Sequence, residues 1–450
     1  MQYTPLMQAV QNILKKDYAR FHTPGHKGSL SGFLSQCAPF DITEIRGADS
    51  LFSADGAIAE TEARYTSLYH TAATLLSAGG STLCIQAMLR LVAQPGKSII
   101  LGRNAHHSAV NTLALLDMTP KWIYPSISTD QLPAPISAQQ VEQCILQTPD
   151  AVAVYLTSPD YFGKLADISA ISQVCHTYGL PLLVDNAHGA ELAFLPSSQH
   201  PIHLGADLCC DSLHKTMPVL TGGALLHIAD TSYCQQHHCA ARAKDAMALF
   251  GSTSPSYLIL LSIDTLLPYL ESGQAADDIQ CCILQAEQLQ KQAALSGFLL
   301  PCAPCLPTRL SLGFSSLGMT RNSFDQLTIQ YQIEPEYLAE HYCVFLLSAQ
   351  NRSVDFQRLH HFIQYCAQHA ASPRSVCAAL PQAQALLSPR QSMFAPAELV
   401  PLEHCLNKIS AQTVSKCPPG IPLVFPGEKI DANLLEELKN YGISALTVVK

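Results

Sequence analysis

The sequence predicts an α/β fold, with a mainly parallel central sheet flanked by helices and a smaller α+β C-terminal domain. Two observations carry that expectation. From Thr74 to about Ile228, short apolar runs alternate with helix-length amphipathic segments, the pattern of strands joined by helical crossovers. Further on, Pro301 to Pro307 is a proline-rich break of the kind that joins a large domain to a smaller one.

The elements follow in order. Thr82 to Ala93 reads as an amphipathic helix and Lys97 to Leu101 as a short buried strand. Ser108 to Leu116 is helical, Lys121 to Tyr124 a strand, and Ser137 to Gln147 a helix. Next come the strand Ala151 to Leu156, the helix Ile168 to Tyr178 and the strand Leu180 to Val184. Leu208 opens another apolar run, and Gly223 to Ile228 reads as a further strand. After Ser252-Thr253-Ser254-Pro255 a long helical tract is expected to run through Gln290. The expected domains are an N-terminal segment (1–45), a large domain (46–300) and a small C-terminal domain (301–450).

Composition narrows the function classes. A chain of 450 residues with 48% hydrophobic and 14% charged residues suits a compact protein with a large core, some of its surface covered in an oligomer. The formal net charge of −9 and the lack of a basic run argue against a nucleic-acid partner. Met1 to Arg20 carries Lys15, Lys16, Asp17 and Arg20 in an amphipathic pattern, unlike a secretory signal. The most apolar stretch, Tyr257 to Leu270, is interrupted by Asp264 and Pro268, so no membrane partner is expected. A cytoplasmic location follows. The 17 cysteines are scattered and suit small buried apolar side chains. Cys302 and Cys305 have metal-ligand spacing, with Cys234, His237, His238 and Cys239 upstream, but no second such pair follows, and no metal is expected.

Chemistry concentrates where strands end, because open sheets of this kind bind ligands beyond the carboxyl ends of their strands. Asp185 ends the run Leu180 to Val184, and His188 follows within one short turn. One crossover later Asp211-Ser212-Leu213-His214-Lys215-Thr216 follows another apolar run. A carboxylate and a lysine from the ends of neighbouring strands are what a pyridoxal 5'-phosphate enzyme needs. The lysine bonds the cofactor aldehyde, and the carboxylate keeps the pyridine nitrogen protonated. Leu208 to Cys210 and Met217 to Leu220 bury Lys215, which lowers its proton affinity and makes it nucleophilic. Gly79-Gly80-Ser81-Thr82 precedes a helix and reads either as a phosphate cradle or as an ordinary N-cap. His106, after the strand ending at Leu101, is placed to stack on a pyridine ring only if the downstream pair holds one.

With these residues in view the chain resembles the short form of the bacterial ornithine/lysine/arginine decarboxylase family. The likeness covers Phe21-His22-Thr23-Pro24-Gly25-His26-Lys27-Gly28, Asp41-Ile42-Thr43-Glu44, Arg103-Asn104-Ala105-His106 and Thr157-Ser158-Pro159. It continues through Asp185-Asn186-Ala187-His188-Gly189, Ser212-Leu213-His214-Lys215-Thr216, Ser252-Thr253-Ser254-Pro255-Ser256-Tyr257 and Pro418-Pro419-Gly420-Ile421-Pro422. The resemblance implies the pyridoxal phosphate-dependent transferase-like fold (fold type I), without the N-terminal wing domain of the family's long members. It implies decarboxylation of arginine, lysine or ornithine, a place in polyamine biosynthesis, and a homodimer or higher oligomer with the site at the subunit interface. By the same likeness Lys215 is the covalent anchor, Asp185 the pyridine partner, His106 the stacking group and His188 a group near the bond being broken. Ser81, Thr82, Ser212 and His214 correspond to phosphate ligands, and Ser252 and Thr253 to a segment reaching a partner subunit's phosphate. The chain departs from common family residues at Gly79, Ala105, His107, Asp160 and Asn186.

Other readings share these residues. An aminotransferase or a carbon–carbon lyase of the same fold would use the same cofactor groups, and Arg309 is a candidate carboxylate partner for a transaminase. A decarboxylase-like scaffold that binds the cofactor without turnover is the third reading. For the distal cation of a basic substrate, Glu44, Asp49, Asp55 and Glu60 are candidates, each also able to serve as a helix cap or a solvated surface acid.

Overall fold

The computed structural model describes residues 4–302, 304–373, 382–415 and 422–450. Of the segment Pro418 to Pro422, only Pro422 lies within the described residues.

Seven strands follow one another along the chain: β1 (Ala73–Ser77), β2 (Ser98–Gly102), β3 (Thr119–Ile123), β4 (Ala151–Thr157), β5 (Leu182–Asp185), β6 (Leu208–Asp211) and β7 (Ala224–Ile228). The helices α1 (Pro5–Lys15), α2 (Ala57–Leu68), α3 (Gly80–Val92), α4 (His107–Leu116), α5 (Ala138–Gln147), α6 (Ile168–Thr177) and α7 (Leu213–Thr216) precede or separate them. Each expected element up to β7 is present, with ends shifted by a residue or two. Strands β2, β5, β6 and β7 are buried along their whole length, which is why they read as continuous apolar runs and not as alternating ones.

The chain divides into two compact units, residues 1–91 with 183–280 and residues 92–182 with 281–450. In the first, the strand order is β1-β7-β6-β5. Strands β5 and β6 run parallel, while β7 is antiparallel to both β6 and β1. Helix α1 starts with proline at its first position and buries Leu6 and Val10. Its Leu6 and Met7 amides donate to the buried carboxylate of Asp264 at 3.2 and 2.9 Å, and Thr61 Oγ1 on α2 donates to the same group at 2.7 Å. The expected continuous tract after Ser252 is corrected here to three helices: Tyr257–Asp264, Leu267–Glu271 and Gln274–Leu295. Pro268 forces a new helix start, and Gly273, with φ at +82°, turns the chain before the third.

In the second unit the strand order is β4-β2-β3, all parallel. A separate three-stranded antiparallel sheet, β8 (Arg309–Gly313), β9 (Tyr337–Leu338) and β10 (Tyr342–Leu346), packs with the helices Arg321–Gln330 and Ser353–Gln368 around Phe298, Phe314, Phe324 and Phe362. Towards the C-terminus β11 (Ala397–Pro401) pairs with β14 (Ala445–Val449), with the short pair β12 (Val414–Ser415) and β13 (Pro422–Val424) between them in sequence. Val400, Leu402, Leu434, Leu438 and Leu446 form the core of this α+β end. Among the described residues no helix is long and apolar enough to cross a membrane.

Arg103, which follows β2, is the largest fully buried side chain. It donates to the carbonyls of Pro422 and Leu423 at 3.0 and 3.1 Å and pairs with Glu428 at 3.1 Å. Its guanidinium lies 4.2 Å from the Phe425 ring centroid and 5.4 Å from that of Trp122. Thus the arginine of the Arg103-Asn104-Ala105-His106 segment is a tie between the end of β2 and the C-terminal strands. Breaking a buried ion pair by removing one partner leaves a stranded charge. Arg103→Met is therefore expected to lower unfolding free energy by about 3–5 kcal/mol in a urea titration, and the double change with Glu428→Met by much less.

Candidate active site

The carboxyl ends of β5 and β6 lie side by side, with Asp185 opposite Cys210 in parallel register. The Asn186 amide continues that ladder by donating to the Cys210 carbonyl at 3.0 Å. Asp185 is buried at 2% exposure. Its Oδ1 accepts the Ala187 amide at 3.1 Å and the Cys210 thiol at 3.7 Å, contacts that fix the carboxylate where the strand ends.

Strand β6 ends at Asp211, and Ser212 leads into the single turn α7, which carries His214 and Lys215. Lys215 is half-buried, and its Nζ lies 2.9 Å from Nε2 of the buried His188. The two residues that the sequence placed on successive strand ends, His188 and Lys215, are thus brought into contact. Ser212 Oγ donates to Ser81 Oγ at 2.8 Å, joining the lysine loop to the first turn of α3. The Gly80 amide also donates to the Gly222 carbonyl at 2.8 Å. Both glycines have positive φ, +66° and +94°, conformations that a side chain would strain. His214 Nδ1 lies 3.4 Å from the Gly222 amide and 3.3 Å from the Gly223 carbonyl, which seats the ring against that glycine turn.

Ser81 is half-buried and Thr82 exposed on the first turn of α3, a 13-residue helix whose N-terminal amides favour an anion. Ser252 and Thr253 are exposed in the same unit, before the helix that starts at Tyr257. His106 belongs to the second unit, where it caps α4: its Nδ1 accepts the Ser108 amide at 3.3 Å and pairs with Ser108 Oγ at 2.8 Å. Its ring packs on that of His107, with centroids 4.1 Å apart.

Of the acids considered for a substrate's distal cation, Asp49 is a structural anchor. Its carboxylate accepts amides of Ser50, Asp55, Gly56, Ile58 and Ala59 at 2.8–3.3 Å, which caps α2 and closes the loop before it. Glu44, Asp55 and Glu60 are exposed. Arg309 is buried and donates to the Tyr161 carbonyl at 2.9 Å. Three residues to which the sequence gives no role, His200, Asp211 and His227, form a fully buried hydrogen-bonded cluster at the end of β6. Only the antiparallel pairing of β6 with β7 brings Asp211 and His227 together, and no spacing rule in one dimension points to it.

The chain is similar to known proteins over nearly its whole length. An arginine decarboxylase of Halalkalibacterium halodurans is 29% identical over 473 aligned positions, covering 99% of this chain and 94% of that protein. An arginine decarboxylase of Bacillus subtilis is 27% identical, covering 97% of this chain and 93% of its own. The solved structure of the constitutive lysine decarboxylase of Escherichia coli superposes over 100% of this chain and 82% of its own with a TM-score of 0.79 at 18% identity, a likeness of fold. The fold is thus that of a pyridoxal phosphate-dependent decarboxylase, a mainly parallel sheet flanked by helices with a smaller C-terminal domain. The profile described as the Orn/Lys/Arg decarboxylase major domain matches residues 4–303, and that of the same family's C-terminal domain matches residues 376–441. With more than half its length matched, the chain belongs to the ornithine/lysine/arginine decarboxylase family.

Proposed function

We propose that the chain removes the α-carboxylate of a basic amino acid using pyridoxal phosphate held between Asp185 and Lys215, with arginine as the foremost substrate. The observation that carries the cofactor assignment is the parallel register of β5 and β6, which sends a buried carboxylate and the lysine turn from neighbouring strand ends. The names of the relatives that match nearly the whole chain support arginine.

The donor set fits the cofactor. Asp185 is a dry carboxylate suited to a ring nitrogen that must stay protonated. Lys215 supplies an amine, and the hydroxyls of Ser81, Thr82 and Ser212, with His214, surround a helix N-terminus suited to phosphate. When bound, the cofactor supplies a carbonyl that bonds amines and a ring that accepts electrons. The protein's own groups do the rest. Lys215 Nζ exchanges with the substrate amine, and His188 Nε2, at 2.9 Å, takes or returns its proton. Lys215 or His188 then delivers the proton that replaces the carboxylate at the α-carbon. His106 takes the ring-stacking role by family likeness, and Ser252 and Thr253, exposed here, are assigned to a partner subunit's phosphate in a homodimer or higher oligomer. A cytoplasmic setting and a role in making polyamines belong to the same reading.

Purified holoprotein incubated separately with arginine, lysine and ornithine tests it. One of the three is expected to give amine and carbon dioxide in equal amounts, with no keto acid. Keto acid in place of carbon dioxide would make the chain an aminotransferase, and no product from any would make it a cofactor-binding scaffold.

A further inference from the structure

His200, Asp211 and His227 are each at 0% exposure, and no step above uses them. His200 Nε2 lies 3.0 and 3.1 Å from the two Asp211 oxygens, and His227 Nε2 lies 3.1 Å from Oδ2. Asn186 Nδ2 donates to Oδ1 at 2.7 Å. The Ile202 amide donates to His200 Nδ1 at 3.3 Å, so a neutral His200 carries its proton on Nε2 and gives it to Asp211. Thr74 Oγ1, 3.0 Å from His227 Nδ1, allows the same arrangement in the second ring. The Asn186 and His200 N–H groups converge on the Asp211 oxygens, and His227 Nε2 closes the third side. Burial by itself would push this carboxyl up, but the two imidazoles outweigh it and hold it well below the usual carboxylate range. Burial lowers the proton affinity of His227, against the pull of Asp211.

Other titratable groups surround the cluster. The Tyr69 ring lies 4.3 Å from that of His227 and 5.4 Å from that of His200, and burial pushes its phenol well up. Cys209 is likewise pushed up by burial, and His203 is lowered by it. Glu191 and Asp185 are the remaining acids acting on these groups. Although ligand atoms of His200, Cys209 and Asp211 lie within 4.8 Å of one another, the nitrogens meet the carboxylate through protons, which fills the lone pairs an ion would need.

The position of this anion gives it a use. Asp211 immediately precedes Ser212, which bonds Ser81, and lies four residues before Lys215. Its donor Asn186 immediately follows Asp185. One carboxylate therefore joins the chain leaving β5 to the chain leaving β6. We propose that Asp211, gripped by Asn186, His200 and His227, is a positioning residue that sets the spacing between Asp185 and Lys215.

The proposal rests on the cofactor assignment above, and the experiment separates the two. Apoprotein is titrated with pyridoxal phosphate, and the visible absorbance of the holoprotein is followed against pH, for wild type, Asp211→Asn and Asn186→Ala. Asp211→Asn is expected to bind the cofactor about tenfold more weakly and to shift the absorbance midpoint by about one pH unit, since the spacing of Asp185 and Lys215 sets how well the protonated nitrogen is held. Asn186→Ala cuts the same link, so it weakens binding and moves the midpoint in the same direction. Wild type that holds no cofactor overturns the cofactor assignment itself. Wild type that holds it while Asp211→Asn matches it in both readouts overturns the role of Asp211 alone. Should Asp211→Asn fail to fold, Asn186→Ala decides, and unchanged cofactor affinity there overturns the proposal.

Discussion

Lys215→Ala is expected to leave a folded protein whose decarboxylation of its best substrate falls by roughly 10³-fold or more, with loss of the visible absorbance of the bound cofactor. Two features single out this lysine. It stands half-buried on the turn after β6, and its Nζ lies 2.9 Å from the imidazole of His188, a group able to take its proton. Lys164 is the instructive contrast. It is buried at 1% exposure, but its Nζ lies 2.7 Å from Asp130 and 2.8 Å from Ser128 Oγ, an ion pair that ties it into the structure. Lys164→Met should lower thermal stability and leave the cofactor absorbance of the folded fraction in place. The reverse pattern in the two variants would move the anchor to Lys164.

Asp185→Asn is expected to lower kcat by on the order of 10²–10³ with the cofactor still bound and KM changed little. The amide oxygen of asparagine can still accept the Ala187 amide, now at 3.1 Å from Asp185, so the end of β5 keeps its shape. What asparagine cannot do is hold a proton on a ring nitrogen by charge. The loss therefore falls on the chemical step, and steady-state kinetics should show kcat and kcat/KM dropping together. A variant with normal kcat would remove Asp185 from the chemistry.

Much of the framework was legible because buried parallel strands and amphipathic helices leave strong periodic marks. Strand β2 was expected at Lys97 to Leu101 and is found at Ser98–Gly102, and α6 was expected at Ile168 to Tyr178 and is found at Ile168–Thr177. The tract from Ser252 to Gln290 misled because apolar spacing persists through Thr265 and Ser272, while the backbone breaks at Pro268 and Gly273. Among polar residues, the groups following apolar runs were readable, since strand ends are where this architecture places chemistry. Groups whose partners are distant in sequence were not. Asp49 looked like a candidate for a substrate cation, yet five backbone amides use its oxygens. Asp211 looked like an ordinary strand end, and His227 like a polar residue inside a strand. Their partnership appears only when β6 and β7 pair antiparallel and Cys209 faces His227.

Reductive trapping of the holoprotein with borohydride, followed by peptide mass spectrometry, tests the central assignment most directly. A single pyridoxyl adduct on the peptide containing Lys215 is the expected result. An adduct on Lys164 or another lysine, or a cofactor that washes away unreduced, would contradict it.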